Sequence, residues 1–289
     1  MTRIDKVIAY TLSALAAGSY LIALNACSYE IEKKSQGSSS VSLSVIGSDS
    51  EKSAKEYTFQ DFTYITKNNT VTITKYNGTE ASVAVPLTIE SLPVTSIEAR
   101  CFENSKNKAA VHTVSVPYTV TNISTLAFYN SRFLEKISCE DNSNYRSKEG
   151  VLYTSDMSSL MAYPENKSDT TYSMPDSVNK IFNNAFSFCN NLKEITLSKN
   201  IQVIPDYAFA YNSSVENIKI CGDVSSIGFA SFCKCAKLSS ITLPDTVSDI
   251  NPNAIIFCDN LKTINVNGDC LLLKDYAETL NVTYSVKSL

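Results

Sequence analysis

Residues 178–269 read VNKIFNNAFSFCNNLKEITLSKN (178–200), IQVIPDYAFAYNSSVENIKICGD (201–223), VSSIGFASFCKCAKLSSITLPDT (224–246) and VSDINPNAIIFCDNLKTINVNGD (247–269). This is one pattern written four times with a period of 23. Val178, Ile201, Val224 and Val247 open the units, and Ile181, Ile204, Ile227 and Ile250 follow three residues on. Phe186, Phe209, Phe232 and Ile255 come next, then Leu192, Val215, Leu238 and Leu261, then Ile195, Ile218, Ile241 and Ile264. Leu197, Ile220, Leu243 and Val266 close the units. Six apolar positions held in register across four units mark a solenoid. A single unit cannot bury its apolar face and must stack on a neighbour.

The pattern extends toward the N-terminus. One unit starts at Val94, with Ile97, Phe102, Val111, Val114 and Val116, and carries extra residues around Lys106 and Lys108. A second starts at Val120, with Ile123, Phe128, Leu134, Ile137 and Cys139. Residues 142–177 keep no repeat spacing. There, Gly150-Val151-Leu152-Tyr153, a polar turn at Ser155-Asp156 and Leu160-Met161-Ala162-Tyr163-Pro164 predict a β-hairpin inserted between units. Residues 57–93 read as a β-rich N-terminal cap, with alternation at Val71-Thr72-Ile73-Thr74, a turn at Asn77-Gly78 and a short strand at Val83-Ala84-Val85-Pro86. Residues 94–269 are the repeats. Residues 270–289 form a C-terminal cap, with a helix over Cys270–Thr279 and a last strand over Val282–Val286. The fold class expected is an α/β-type repeat solenoid with short parallel strands.

The composition excludes several functions. The chain has 289 residues, 44% hydrophobic and 19% charged, enough for a large core. A net charge of −4 without a basic run argues against a nucleic-acid partner. His112 is the single histidine. There is no Gly-x-Ser-x-Gly elbow and no glycine-rich phosphate loop, so neither an enzyme nor a cofactor is expected. Nine cysteines are present. Cys189, Cys235 and Cys258 recur at one repeat position, which predicts buried packing residues with reduced thiols. Cys233-Lys234-Cys235 has chelate spacing, but no second pair or histidine stands at zinc-like distance, so no metal is expected.

The N-terminus addresses the chain. Arg3 and Lys6, an apolar run from Ile8 to Leu24, and Leu24-Asn25-Ala26-Cys27 read as an export signal over residues 1–26. The last four residues resemble a bacterial lipobox, which implies that Cys27 is lipidated and anchors the protein to a membrane. An ordinary secretory signal with a nearby cysteine is the other reading. Residues 27–56, polar and serine-rich, form a flexible tether.

The units spell V-x-x-I-x-x-x-A-F-x-x-C-x-x-L-x-x-I-x-L, as in Val178…Ile181…Ala185-Phe186…Cys189…Leu192…Ile195-Thr196-Leu197. They resemble the BspA-like leucine-rich repeat family of bacterial surface proteins. So do Thr70-Val71-Thr72-Ile73 and Leu92-Pro93-Val94-Thr95-Ser96-Ile97 in the cap, and the hairpin. Asn212 and Ile255 depart from the motif. The resemblance implies a non-enzymatic protein at the outer membrane or cell surface that binds or adheres to proteins or partner surfaces.

Strand register adds a candidate face. Side chains alternate along a strand, so one row points outward: Thr113, Ser115, Lys136, Ser138, Glu194, Thr196, Asn217, Lys219, Ser240, Thr242, Thr263 and Asn265. This row is either a contact surface for protein or glycan, or a solvated sheet face whose threonines follow β propensity. Tyr129, Tyr207 and Tyr211 on the turns are an alternative contact set. A glycan- or peptide-binding module of an uptake system and a structural envelope protein are the rival functions.

Overall fold

The computed structural model describes residues 55–103 and 110–287. The export signal, Cys27, the tether up to residue 54 and the turn with Lys106 and Lys108 lie outside the described residues.

Each coil has three sides. The first holds the Leu-x-x-Ile-x-Leu segments as short parallel strands. They form three hydrogen-bonded sets: Ser82–Ala84, Thr113–Ser115 and Lys136–Ser138; Thr171–Ser173, Glu194–Thr196 and Asn217–Lys219; Ser240–Leu243, Thr263–Val266 and Thr283–Val286. The register joins equivalent residues of successive units, such as Ile195 with Ile218 and Ile241 with Ile264. The second side holds two-residue strands, among them Lys180–Ile181, Val203–Ile204, Ser226–Ile227 and Asp249–Ile250. The last three of these pair in parallel.

The third side carries the Ala-Phe segments, which form turns. Its backbone hydrogen bonds run from coil to coil: Phe186 N–H to Ala208 O at 2.9 Å, Phe209 N–H to Ser231 O at 2.8 Å, and Phe232 N–H to Ala254 O at 2.9 Å. To turn the chain while keeping its N–H groups along the stack, non-glycine residues enter the left-handed region. Asn184, Tyr207 and Ala230 do so before the phenylalanine, and Phe188, Tyr211, Lys234 and Phe257 after it. Each such residue costs roughly 1–2 kcal/mol. The satisfied backbone ladder offsets that cost, because an unpaired buried N–H is comparably expensive. The one α-helix among the described residues, Leu271–Leu280, closes the far end with Leu273, Tyr276 and Ala277 buried.

The core is a stack of rings. Phe209 lies between Phe186, at 5.2 Å and 24°, and Phe232, at 5.6 Å and 10°. Tyr163 continues the stack beyond Phe186 at 5.4 Å.

Three segments differ from the sequence expectation. The first-side ladder begins at Ser82, inside the span read as cap, because Val83 pairs with Val114 as one repeat strand pairs with the next. The cap's tight turn is Asn68-Asn69, both left-handed, between strands Phe62–Lys67 and Thr70–Tyr76. Gly78 instead packs against Tyr76 and Asp61, where a Cβ would not fit.

The third difference concerns residues 142–177. The hairpin strands are Tyr145–Lys148, Val151–Thr154 and Ser159–Ala162. Asp156 orders their turn by accepting from Thr154 Oγ1 at 2.6 Å and from Ser158 N–H at 3.0 Å. The residues after it rejoin the repeat: Leu160 pairs with Ile181, Tyr172 with Ile195 and Ser173 with Thr196. Tyrosines in place of phenylalanine and isoleucine hide this coil. So does a shortened span from Leu160 to Tyr172, 12 residues against 14 from Ile181 to Ile195.

Candidate functional site

All twelve residues of the outward row lie on the first side, and none is buried. The inward members of the same strands, Val114, Ile137, Ile195, Ile218, Ile241 and Ile264, are at most 1% exposed. That contrast is the period of two made visible. Neighbours across the ladder are Thr113 with Lys136, Ser115 with Ser138, Glu194 with Asn217, Thr196 with Lys219, Ser240 with Thr263, and Thr242 with Asn265. Lys136, Glu194 and Lys219 carry the row's charge; the remaining positions offer hydroxyls and amides.

The row is longer than its sequence prediction. The concealed coil adds Thr171 and Ser173, the last strand adds Thr283 and Ser285, and the first strand adds Ser82. The missing signal was a spacing of 23 from Tyr172 to Ile195, masked by the change of residue type. Side chains along the row bond to one another. Ser82 Oγ and Thr113 Oγ1 are 2.7 Å apart, and Lys287 Nζ donates to Thr242 Oγ1 at 3.2 Å. The hairpin divides the row: Ile137 N–H donates to Gly150 O at 2.9 Å, so the hairpin turn sits against the strand Lys136–Ser138. His112 flanks this part of the face, with Nδ1 2.8 Å from Glu135 Oε1.

The turn tyrosines form no set of exposed anchors. Tyr129 meets Phe188 edge-on at 5.5 Å, Phe188 stacks on Tyr211 at 4.6 Å, and Tyr207 meets Phe229 at 5.4 Å. Arg100 covers Tyr129 and Lys234 covers Tyr211. These rings pack against each other, edge-on or stacked, and are half-buried.

The repeat cysteines lie inside the stack, with Cys189 at 1%, Cys235 at 0% and Cys258 at 4% exposure. Cys233 and Cys235 do not share a site. Cys235 belongs to the main core, whereas Cys233 packs with Ala210 and Ala230 under the third side.

Residues 84–167 and 161–278 match the BspA type leucine rich repeat region, in six copies. No curated protein matches the chain in sequence. A leucine-rich repeat protein from Eubacterium ventriosum is similar in structure, at 20% identity and a TM-score of 0.52. That match covers 63% of this chain and 54% of the other, so the chain spans about half of that protein's length. A leucine rich cell surface protein from Faecalibacterium prausnitzii aligns over 83% of this chain and 100% of its own, at 18% identity and a TM-score of 0.45. The pneumococcal vaccine antigen PcpA aligns over 82% of this chain and 99% of its own, at 14% identity and a TM-score of 0.46. Among the described residues no helix is long and apolar enough to cross a membrane. With its repeats matched over more than half its length, the chain belongs to the BspA type leucine-rich repeat family.

Proposed function

We propose that this protein is a non-enzymatic lipoprotein of the bacterial cell surface whose outward strand row binds a protein ligand. The observation that carries the reading is the row itself. Stacked parallel strands turn one short segment per coil into an extended polar surface, and solenoids bind through such surfaces. The row lacks the aromatic and arginine anchors that dominate interface energy. Each copy therefore binds weakly, and many copies on one membrane supply avidity.

The test uses the mature chain in a screen against extracellular proteins and a glycan array. Replacing Thr196, Lys219 and Thr242 together by Glu adds negative charge to adjacent strands, beside Glu194, without touching the core. Binding of the captured protein should fall at least tenfold. Unchanged binding by a folded triple variant removes the row as the site, and capture of saccharides alone supports the uptake-module alternative. The anchor is tested separately. Cys27→Ser should abolish metabolic labelling with a fatty-acid analogue, and labelling that persists would refute lipidation at Cys27.

A further inference from the structure

The corner between the second and third sides carries an open notch of about 430 Å³. Its floor is the coil through Ser226, Ile227, Gly228 and Phe229. The notch follows from residue size. Ser226 is small where its ladder neighbours are Val203 and Asp249, and Gly228 has no side chain where Pro205 and Asn251 stand in the adjacent coils. A Cβ at Gly228 would lie 2.5 Å from Asp206 Oδ1, so the glycine is what admits the aspartate.

Two carboxylates lean over this floor from opposite coils. Asp206 Oδ1 accepts from Phe229 N–H at 2.7 Å, and Asp249 Oδ2 accepts from the Ser226 hydroxyl at 2.9 Å. Their anchors on the floor, the Ser226 hydroxyl and the Phe229 N–H, stand three residues apart along the coil. A carboxylate accepts several hydrogen bonds, so both groups keep capacity. Neither has an ion-pair partner among the described residues. Apolar surface borders them: Val203 is 50% exposed on one side, and Phe229 lies half-buried on the other.

We infer that this notch receives the guanidinium group of an arginine presented by a partner protein, as a contact separate from the outward row. A planar guanidinium donates charge-assisted bonds of about 2.8 Å from two edges, so it can meet one carboxylate on each side of the floor. Its aliphatic stem lies along Val203 and its face against Phe229, contacts that favour guanidinium over the compact, strongly hydrated ammonium of lysine.

The test titrates the whole mature protein, isotope-labelled, with the blocked tripeptide Ala-Arg-Ala and with its citrulline and lysine analogues. Saturable shifts of the Gly228 and Phe229 amide signals are expected with the arginine peptide. The citrulline peptide, equal in shape but uncharged, should give none, and the lysine peptide should bind at least fivefold more weakly. Asp249→Asn keeps an acceptor for Ser226 and removes one charge, and it should weaken arginine binding at least fivefold. Equal binding of citrulline or lysine, unchanged binding by a folded Asp249→Asn variant, or no shift with any peptide would each overturn the assignment.

Discussion

Cys258 explains why one repeat position accepts both cysteine and serine. Its thiol donates to the carbonyl of Phe232 in the preceding coil at 2.9 Å. Cys235 does the same to Phe209 O at 3.2 Å, Cys189 to Tyr163 O at 3.7 Å, and the Ser131 hydroxyl to Phe102 O at 3.1 Å. Asn212 differs: its amide donates within its own coil, to Phe209 O at 3.1 Å, and its Oδ1 is buried without a partner among the described residues. Where cysteine or serine stands, a small side chain donates to a buried backbone carbonyl of the preceding coil. Spacing alone made the cysteines look like packing; the donor role shows only once the coils are stacked. Cys258→Ser keeps a donor and Cys258→Ala removes it. The alanine variant should therefore be less stable than the serine variant by about 1 kcal/mol or more, the cost of stranding a buried acceptor. Urea melts of the pair decide it, and equal midpoints would reduce the position to packing.

The hairpin coil is the element the sequence concealed. The four regular units were legible because six apolar positions recur in each, and the outward row followed from strand alternation. In residues 142–177 the hairpin was legible and the repeat coil that follows it was not, since Tyr163, Tyr172 and Met174 stand where Phe186, Ile195 and Leu197 stand one unit later. The same coil carries Glu165, 23 residues before Phe188 and only 7% exposed. The backbone N–H groups of Asn130 and Ser131 in the second unit lie near enough to favour its anion. Its Oε2 is buried without a partner, a setting that suits a neutral carboxyl better than an anion. Burial pushes the group up to about 8, against the pull of those two N–H groups and of Arg132, with Glu103 adding to the rise. A carboxyl raised on folding binds a proton that the unfolded chain releases. Its contribution is thus complete below the ordinary glutamate value near 4.5 and is lost as pH rises to about 8. Between these limits stability should fall by up to about 1.4 kcal/mol per pH unit. Glu165→Gln should flatten the decline in urea midpoints measured from pH 5 to 8, and parallel curves for the two proteins would show that Glu165 is ionised throughout.

At the scale of the molecule, the hairpin divides the core. Leu152 and Met161 face an N-terminal half built on Phe102 and Phe128, stacked at 5.4 Å. Val151, Tyr153 and Leu160 face a C-terminal half that runs from Tyr163 to Tyr276. The strand alternation that exposes one face elsewhere here buries both, so the hairpin acts as a septum between two ring stacks. Stability in a solenoid is a sum of unit and nearest-neighbour terms, and such parts can open as separate cooperative units. A defect inside one half should therefore stay there. Phe209→Ala removes a fully buried ring with stacked neighbours on both sides. It should cost about 3–5 kcal/mol in its own half. Hydrogen exchange read by mass spectrometry gives the local result. Amides of residues 171–266 should lose protection by that amount, while those of residues 62–138 change by less than about 0.5 kcal/mol, the limit for independent sites. If both halves lose protection equally, the septum transmits the defect and the solenoid opens as one unit. If residues 171–266 stay protected, Phe209 is not a keystone of its stack.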